Sequence, residues 1–288
     1  MSSLSKANLA ASVHQRLLNV ARVEARPFNE VLQYFAMERL LYRLSCSTHQ
    51  GSFVLKGALL FRAWNVADGR ATRDIDLLAF VDNAPENLSA IFREVCMIES
   101  EDGLVFDPDS IDARTIKESA DYEGVRIRFR GLLGTARINM QIDVGFGDIV
   151  HPRAATAGYP VILGLPAPTL RMYPPETVIA EKVEAMIHLG SLNSRMKDFY
   201  DIWQLSQKLE FDPEVLSEAI RKTLKNRETE PIPFDELKAN LLGNNAIEKQ
   251  WSAFLEKSGV TGPDSFLEAL DQIGILVGPL LERIDHLY

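Results

Sequence analysis

From Val125 to Val144 apolar residues fall at every second position, and this alternation constrains the fold more than any other stretch. Val125, Ile127 and Phe129 alternate with Arg126, Arg128 and Arg130. After a turn read at Gly131 to Gly134, Ala136, Ile138, Met140, Ile142 and Val144 alternate with Arg137, Asn139, Gln141 and Asp143. Successive side chains on a strand point to opposite faces, so the pattern predicts an antiparallel hairpin with one apolar face on a core. The other face then carries four arginines and Asp143. Such a stripe is ordinarily the wet side of an antiparallel sheet. Gly145 and Gly147 follow, however, and allow close backbone approach, which makes Asp143 a candidate metal ligand and the arginines candidates for triphosphate or polynucleotide phosphates.

A second stretch, Phe53 to Phe80, carries the chemistry most directly. It reads as a strand (Phe53 to Leu55), a turn at Lys56 and Gly57, a helix from Ala58 to Trp64, a polar loop, and a strand from Ile75 to Phe80. Alternation puts Asp74 and Asp76 on one face, with Ile75 and Leu77 anchored on the other. Two carboxylates held this close repel unless a cation lies between them, so the pair suits Mg²⁺ with phosphate oxygens completing the shell. Gly57 lets backbone come near a phosphate, and the helix it opens would offer N–H groups to an anion. Taken alone, Asp-x-Asp at a strand start is more often a solvated strand end.

Helical spacing dominates elsewhere. Residues 1–50 read as helices that pack on the sheet. Val13, Leu17, Val20 and Ala21 form one stripe, and Phe28, Val31, Leu32 and Phe35 form the next, with Glu38 or Arg39 pairing one turn away. A helix is expected from Glu86 to Cys96, and short strand-like pieces between Glu99 and Asp121. Pro160, Pro166 and Pro168 mark a connection, after which the chain reads as helical to its end. Helices are placed from Glu176 to Leu189, from a Ser194 cap through Trp203, at Pro213 to Lys225, Ile247 to Lys257, and Ser265 to Leu287, with a linker at Glu230 to Phe234. Lys182 lies at a stripe's edge, and Arg195–Asp198 and Lys197–Asp201 pairs would form a salt-bridged exposed face.

Composition bounds the remaining choices. At 288 residues with 46% hydrophobic and 25% charged residues, the chain can bury a substantial core, and its net charge of −9 argues against a generally basic nucleic-acid binder while allowing one local basic groove. The apolar run Ile273 to Leu281 is broken by Gly274, Gly278 and Pro279 and is far too short to span a membrane. The acid-free first 23 residues lack a signal-peptide core, so a cytoplasmic protein without a targeting signal is expected. Cys46 and Cys96 read as buried thiols.

Four blocks, FVLKGALLFRAW with GRATRDIDLLAF, then INMQIDVGFGD, then IAEKVEAMIHLG, then SRMKDFYDIW, together resemble the AbiEii and MenT nucleotidyltransferase toxins of the polymerase β type superfamily. The resemblance runs from about residue 10 to 205. It implies an α+β fold in which a mixed-sheet nucleotidyltransferase core (51–165) lies between an N-terminal helical segment (1–50) and a C-terminal helical domain (166–288). It also implies NTP and Mg²⁺ as substrate and cofactor, a cognate antitoxin, and addition of nucleotides to the tRNA 3′ end that blocks aminoacylation; a monomer is expected. Asp74 and Asp76 match the metal-binding pair, Asp143 the third acidic position, Lys182 the lysine of the helix after the core, and Asp198 the acid of an RDFYD-like segment. Thr72 stands where relatives carry Ser or Thr. The superfamily's Gly-Ser or Gly-Gly is here Gly57–Ala58, which removes a hydroxyl but keeps backbone donors.

Together these readings place Mg²⁺ on Asp74, Asp76 and Asp143, with Asp143 helping to deprotonate the acceptor. Lys56, Gly57, Thr72, Arg73 and Lys182 lie toward the triphosphate, with Asp198 orienting Lys182. Transfer to a small molecule or protein hydroxyl, and a catalytically inactive partner-binding scaffold, are the alternatives.

Overall fold

A computed structural model of the protein describes residues 3–66, 71–117 and 123–285. Parts of three expected segments lie outside those residues: the loop after Trp64 at 67–70, the end of the Glu99 to Asp121 stretch at 118–122, and the last helix beyond Asp285. The elements run α1 (Ser3–Val23), α2 (Phe28–Cys46), β1 (Phe53–Lys56), α3 (Leu60–Ala63), β2 (Ile75–Ala79), α4 (Pro85–Met97), β3 (Leu104–Lys117), β4 (Glu123–Leu133), β5 (Ala136–Phe146), β6 (Ala155–Gly158), β7 (Thr169–Met172), α5 (Pro175–Leu189), α6 (Met196–Lys208), α7 (Pro213–Asn226), α8 (Phe234–Leu242), α9 (Ile247–Ser258) and α10 (Phe266–Asp285). The protein is α+β, and its chain forms two compact units, one with α1 to α4 and all the described strands, the other with α5 to α10 and Asp148–Ala154.

In the first unit the strands form one mixed sheet in the order β3-β4-β5-β2-β1-β7-β6. β2 runs parallel to β5, β1 runs parallel to β7, and the other neighbours are antiparallel. The alternating residues behave as their period requires: Ile127, Phe129, Ile138, Met140, Ile142 and Val144 are all buried. Leu88, Ile91, Phe92 and Val95 of α4 and Val31, Leu32 and Phe35 of α2 are buried with them in this core.

The hairpin turn lies further along than the glycines suggest. β4 continues through Gly131 to Leu133, which pairs with Ala136, and the turn is Gly134–Thr135 with Gly134 at φ 58°. Glycine accepts that left-handed conformation without the Cβ penalty. Gly131 is a strand glycine for a packing reason, since a Cβ there would stand 3.2 Å from the Phe106 ring.

Several expectations need correction. The helix expected from Ala58 to Trp64 is a 3₁₀ turn, Gly57–Leu59, followed by the four-residue α3. The prolines Pro160, Pro166 and Pro168 lie between two short strands, β6 before them and β7 after them, so the chain is not helical directly beyond them; each strand has only four residues, too few to show a period. The linker ending at Phe234 leads directly into α8. Ser194 does not cap α6, whose N-cap position is Arg195. Cys46 is exposed, whereas Cys96 is buried.

Within α2, Arg39 lies 3.5 Å from Glu38 and Arg43 donates to the Arg39 carbonyl at 3.0 Å, but their shared carboxylate partner comes from outside the helix. Both reach Asp102: Arg39 Nε at 3.1 Å and Arg43 Nη1 and Nη2 at 2.6 and 3.0 Å. All three side chains are almost completely buried, a position charged groups occupy only when paired and hydrogen-bonded. Glu38 accepts from Ile162 N–H at 2.7 Å.

In the second unit, Phe199, Trp251 and Phe266 pack edge-on and tilted around α6, α9 and α10. Arg227 ties this unit internally, binding Glu184 at 2.7 Å and Asp148 at 2.9 Å.

Candidate active site

One row of cross-strand neighbours organises the charged face of the sheet. Lys56 on β1 pairs with Asp76 on β2, Asp76 with Asp143 on β5, and Asp143 with Arg126 on β4. Partners opposite one another in adjacent strands share a face and lie about 4.5–5.5 Å apart. The backbone register therefore lines up two carboxylates between two cations.

Arg126 grips Asp143 through both oxygens, Nε to Oδ1 at 2.8 Å and Nη2 to Oδ2 at 2.7 Å. This bidentate fit is the strong form of a guanidinium–carboxylate pair. The Arg126 pKa is raised chiefly by that hydrogen bonding; desolvation works against it, and the attraction of Asp143, Asp74 and Asp76 adds to it. All three aspartates thus act on one guanidinium. Asp74 stands just before β2 and Asp76 within it.

Gly57 closes against this row. Its φ is 74°, and a Cβ placed on it would fall 1.9 Å from Asp76 Oδ2. The lack of a side chain is therefore what lets the turn after β1 sit against the Asp76 carboxylate.

The loop before β2 is held by α2. Thr72 N–H donates to Tyr34 Oη at 3.0 Å, and Gln33 Nε2 donates to the carbonyls of Arg73 and Asn139, each at 3.2 Å. The Thr72 hydroxyl donates to the Asp74 carbonyl at 3.4 Å, and Arg73 is exposed.

The second unit holds Lys182 and Asp198. Lys182 Nζ lies 2.7 Å from Asp198 and 2.9 Å from Asp201, and all three side chains are largely buried. The salt-bridged exposed face expected of α6 is thus an inward-facing one for its two aspartates, with a lysine from α5 shared between them. Burial pushes the Asp198 carboxyl up, but the charge and hydrogen bond of Lys182 outweigh it and hold the pKa below the ordinary 3.8.

Two participants escape a reading of the sequence alone. Arg126 as the partner of Asp143 follows from the register only once the turn is placed at Gly134–Thr135. Asp201 has a signal in its three-residue spacing from Asp198, which puts both on one helix face.

Among the described residues no group of three or more His, Cys, Asp and Glu side chains is arranged to hold a metal. Mg²⁺ generally binds one or two carboxylates together with waters and substrate phosphates. Asp74 and Asp76 suit that mode; Asp143 has both oxygens on Arg126.

The site is thus an acidic pair at the start of a central strand of a mixed sheet in an α+β protein. The chain belongs to the AbiEii nucleotidyltransferase toxin family of type IV toxin–antitoxin systems, whose family model matches residues 39–273. Among solved structures it is similar to JHP933 from Helicobacter pylori, with 15% identity over 86% of this chain and 90% of that one and a TM-score of 0.45. A second H. pylori crystal structure matches at 14% identity over 100% of this chain and 99% of that one, also with a TM-score of 0.45. No curated protein matches the chain in sequence. Among the described residues no helix is long and apolar enough to cross a membrane.

Proposed function

We propose that this toxin transfers a nucleoside monophosphate from an NTP to the 3′ end of an RNA, with the tRNA acceptor end as the target and loss of aminoacylation as the consequence. The observation that carries the reading is the row Lys56–Asp76–Asp143–Arg126, with Gly57 seated on Asp76, in a chain of the AbiEii family. Acting on tRNA, the protein works in the cytoplasm as a monomer and is countered by a cognate antitoxin.

Asp74 and Asp76 would hold Mg²⁺, which when bound supplies charge neutralisation at the phosphates and polarises the phosphorus–oxygen bonds. The chain's own residues do the rest. Lys56 and Arg73 neutralise the triphosphate, while Gly57 and Thr72 let backbone and hydroxyl approach it. Asp143 accepts the proton of the acceptor hydroxyl once Arg126 turns toward phosphate. The acceptor oxygen forms a bond to the α-phosphorus, the bond from that phosphorus to the bridging oxygen breaks, and pyrophosphate leaves with the electron pair. In the second unit Lys182, held by Asp198 and Asp201, is the cation we assign to phosphate binding.

Incubation with each α-labelled NTP and total RNA, a protein extract or small hydroxyl compounds tests the proposal. Label at RNA 3′ ends is expected. Label confined to protein or to a small molecule sinks the RNA acceptor while keeping the chemistry, and no label in any fraction sinks both.

A further inference from the structure

Beside Asp74 the first unit opens a cleft of about 1090 Å³, bounded by the start of α2, residues 71–74 and the arginine-bearing hairpin β4–β5. Arg73, Arg128, Arg130 and Arg137 line it, and all four are exposed. Two of its acidic residues are already matched: Glu30 binds Arg26 at 2.8 Å and Asp112 binds Arg114 at 2.9 Å. Arg130 pairs with Asp107, and Arg128 donates to Gln141. Among the described residues Arg73 and Arg137 have no ion-pair partner. In a chain of net charge −9, a cleft lined by four arginines against Glu30, Asp74 and Asp112 is a local reversal of sign.

The arginines are also ordered. Arg128 stands opposite Gln141, Arg130 opposite Asn139, and Arg137 opposite Leu132, on the strand pair that carries Arg126 opposite Asp143. At about 3.3 Å per residue, the six steps from Asp143 to Arg137 cover roughly 20 Å. A volume above the ~300–1,000 Å³ usual for small-ligand pockets, with cations spaced along one direction and leading to the acidic row, suits a chain of phosphates rather than one triphosphate.

We infer that this cleft seats the single-stranded acceptor RNA, its backbone phosphates on Arg137 and Arg130 and its 3′ end toward Asp74 and Asp143. The inference rests on the RNA-transfer reading above and assigns the surface that would recognise the acceptor. Neutral side chains between the arginines, Asn139 and Gln141, offer donors and acceptors to sugar hydroxyls and base edges.

The test uses the double variant Arg130→Gln with Arg137→Gln in the full-length protein, with a short single-stranded RNA bearing a free 3′-hydroxyl as probe. Each lost phosphate contact lowers the slope of log affinity against log salt by about 0.7 for single strands. The double variant should therefore show a slope smaller by about 1.4, so that between 50 and 200 mM salt it loses about sevenfold less affinity than the wild type. Its KM for RNA should rise while kcat at saturating RNA and KM for NTP stay at wild-type values. If the wild type labels RNA and the variant keeps the same slope and RNA KM, the cleft assignment falls and RNA transfer stands. If the wild type binds no RNA, both fall. Displacement of the RNA by poly-glutamate as effectively as by competitor RNA would mark a general polyanion surface and also overturn the assignment.

Discussion

Gly57→Ala separates backbone strain from damage to the acidic row. The residue sits at φ 74°, where a non-glycine costs about 1–2 kcal/mol. Its new methyl would also stand 1.9 Å from Asp76 Oδ2, 2.6 Å from Cγ and 2.8 Å from Cβ. Turning the carboxylate cannot relieve the contact at Cβ, so the two strands must part. Restoring a tight contact of about 3.2 Å means moving Asp76 Oδ2 by about 1.3 Å, and a displacement near 1 Å at reacting groups costs on the order of 10²-fold in rate. Gly164→Ala is the control: φ is 65° with no atom within 4 Å, so it carries the same strain without the clash. Thermal melts and α-labelled NTP transfer should show both variants destabilised by a few degrees and only Gly57→Ala slowed about 100-fold. If Gly57→Ala keeps more than about a third of the activity, against that ~10²-fold expectation, the reasoning about Asp76 is refuted.

Asp102→Ala leaves two buried guanidinium groups without their shared carboxylate and should cost about 3–5 kcal/mol, read by urea melts; a loss below about 1 kcal/mol would contradict the buried network, since that is the range of a surface pair. Burial alone would raise the Asp102 carboxyl, but the hydrogen bonds and charge of Arg43, then Leu104 N–H and Arg39, hold its pKa below 3.8. Its stabilisation is therefore complete above about pH 4 and declines as pH falls through the depressed value, so the wild type should lose more stability than Asp102→Ala in acid melts below about pH 4. Phosphorylation of Thr72 would add about −1.5 to −2 charge beside Asp74 and should weaken Mg²⁺–NTP binding at least tenfold, an order-of-magnitude expectation; equal affinity of the homogeneously phosphorylated protein, by calorimetry, would count against it.

Local periodicity made part of the architecture legible and distance hid the rest. The alternation from Val125 to Val144 is enough to define a two-faced hairpin, because a period of two has no other compact solution. Its register is a different matter. A turn at Gly131 to Gly134 would set Arg126 opposite Asn139, whereas the two-residue turn at Gly134–Thr135 sets it opposite Asp143. Gly131 carries turn chemistry in its identity but is a glycine because of Phe106, a contact 25 residues away in the chain. The partner of Arg39 is hidden for the same reason: Asp102, which it shares with Arg43, is about 60 positions distant from both, beyond any helical spacing rule. The neighbours Lys56, Asp76 and Asp143 are each visible as charged residues on strands, yet their common row depends on one antiparallel and one parallel pairing that only the folded sheet supplies. β6 and β7 have four residues each, and β6 is exposed throughout, so no apolar pattern marks it.

The central claim is that Asp74 takes part in nucleotidyl transfer and does not serve the fold. The most direct measurement is the incorporation of α-labelled NTP into total RNA by wild type and by Asp74→Ala, each first shown to have the same melting temperature. Label in RNA with the wild type and none above background with Asp74→Ala is the predicted result. Equal labelling by the two proteins would contradict it.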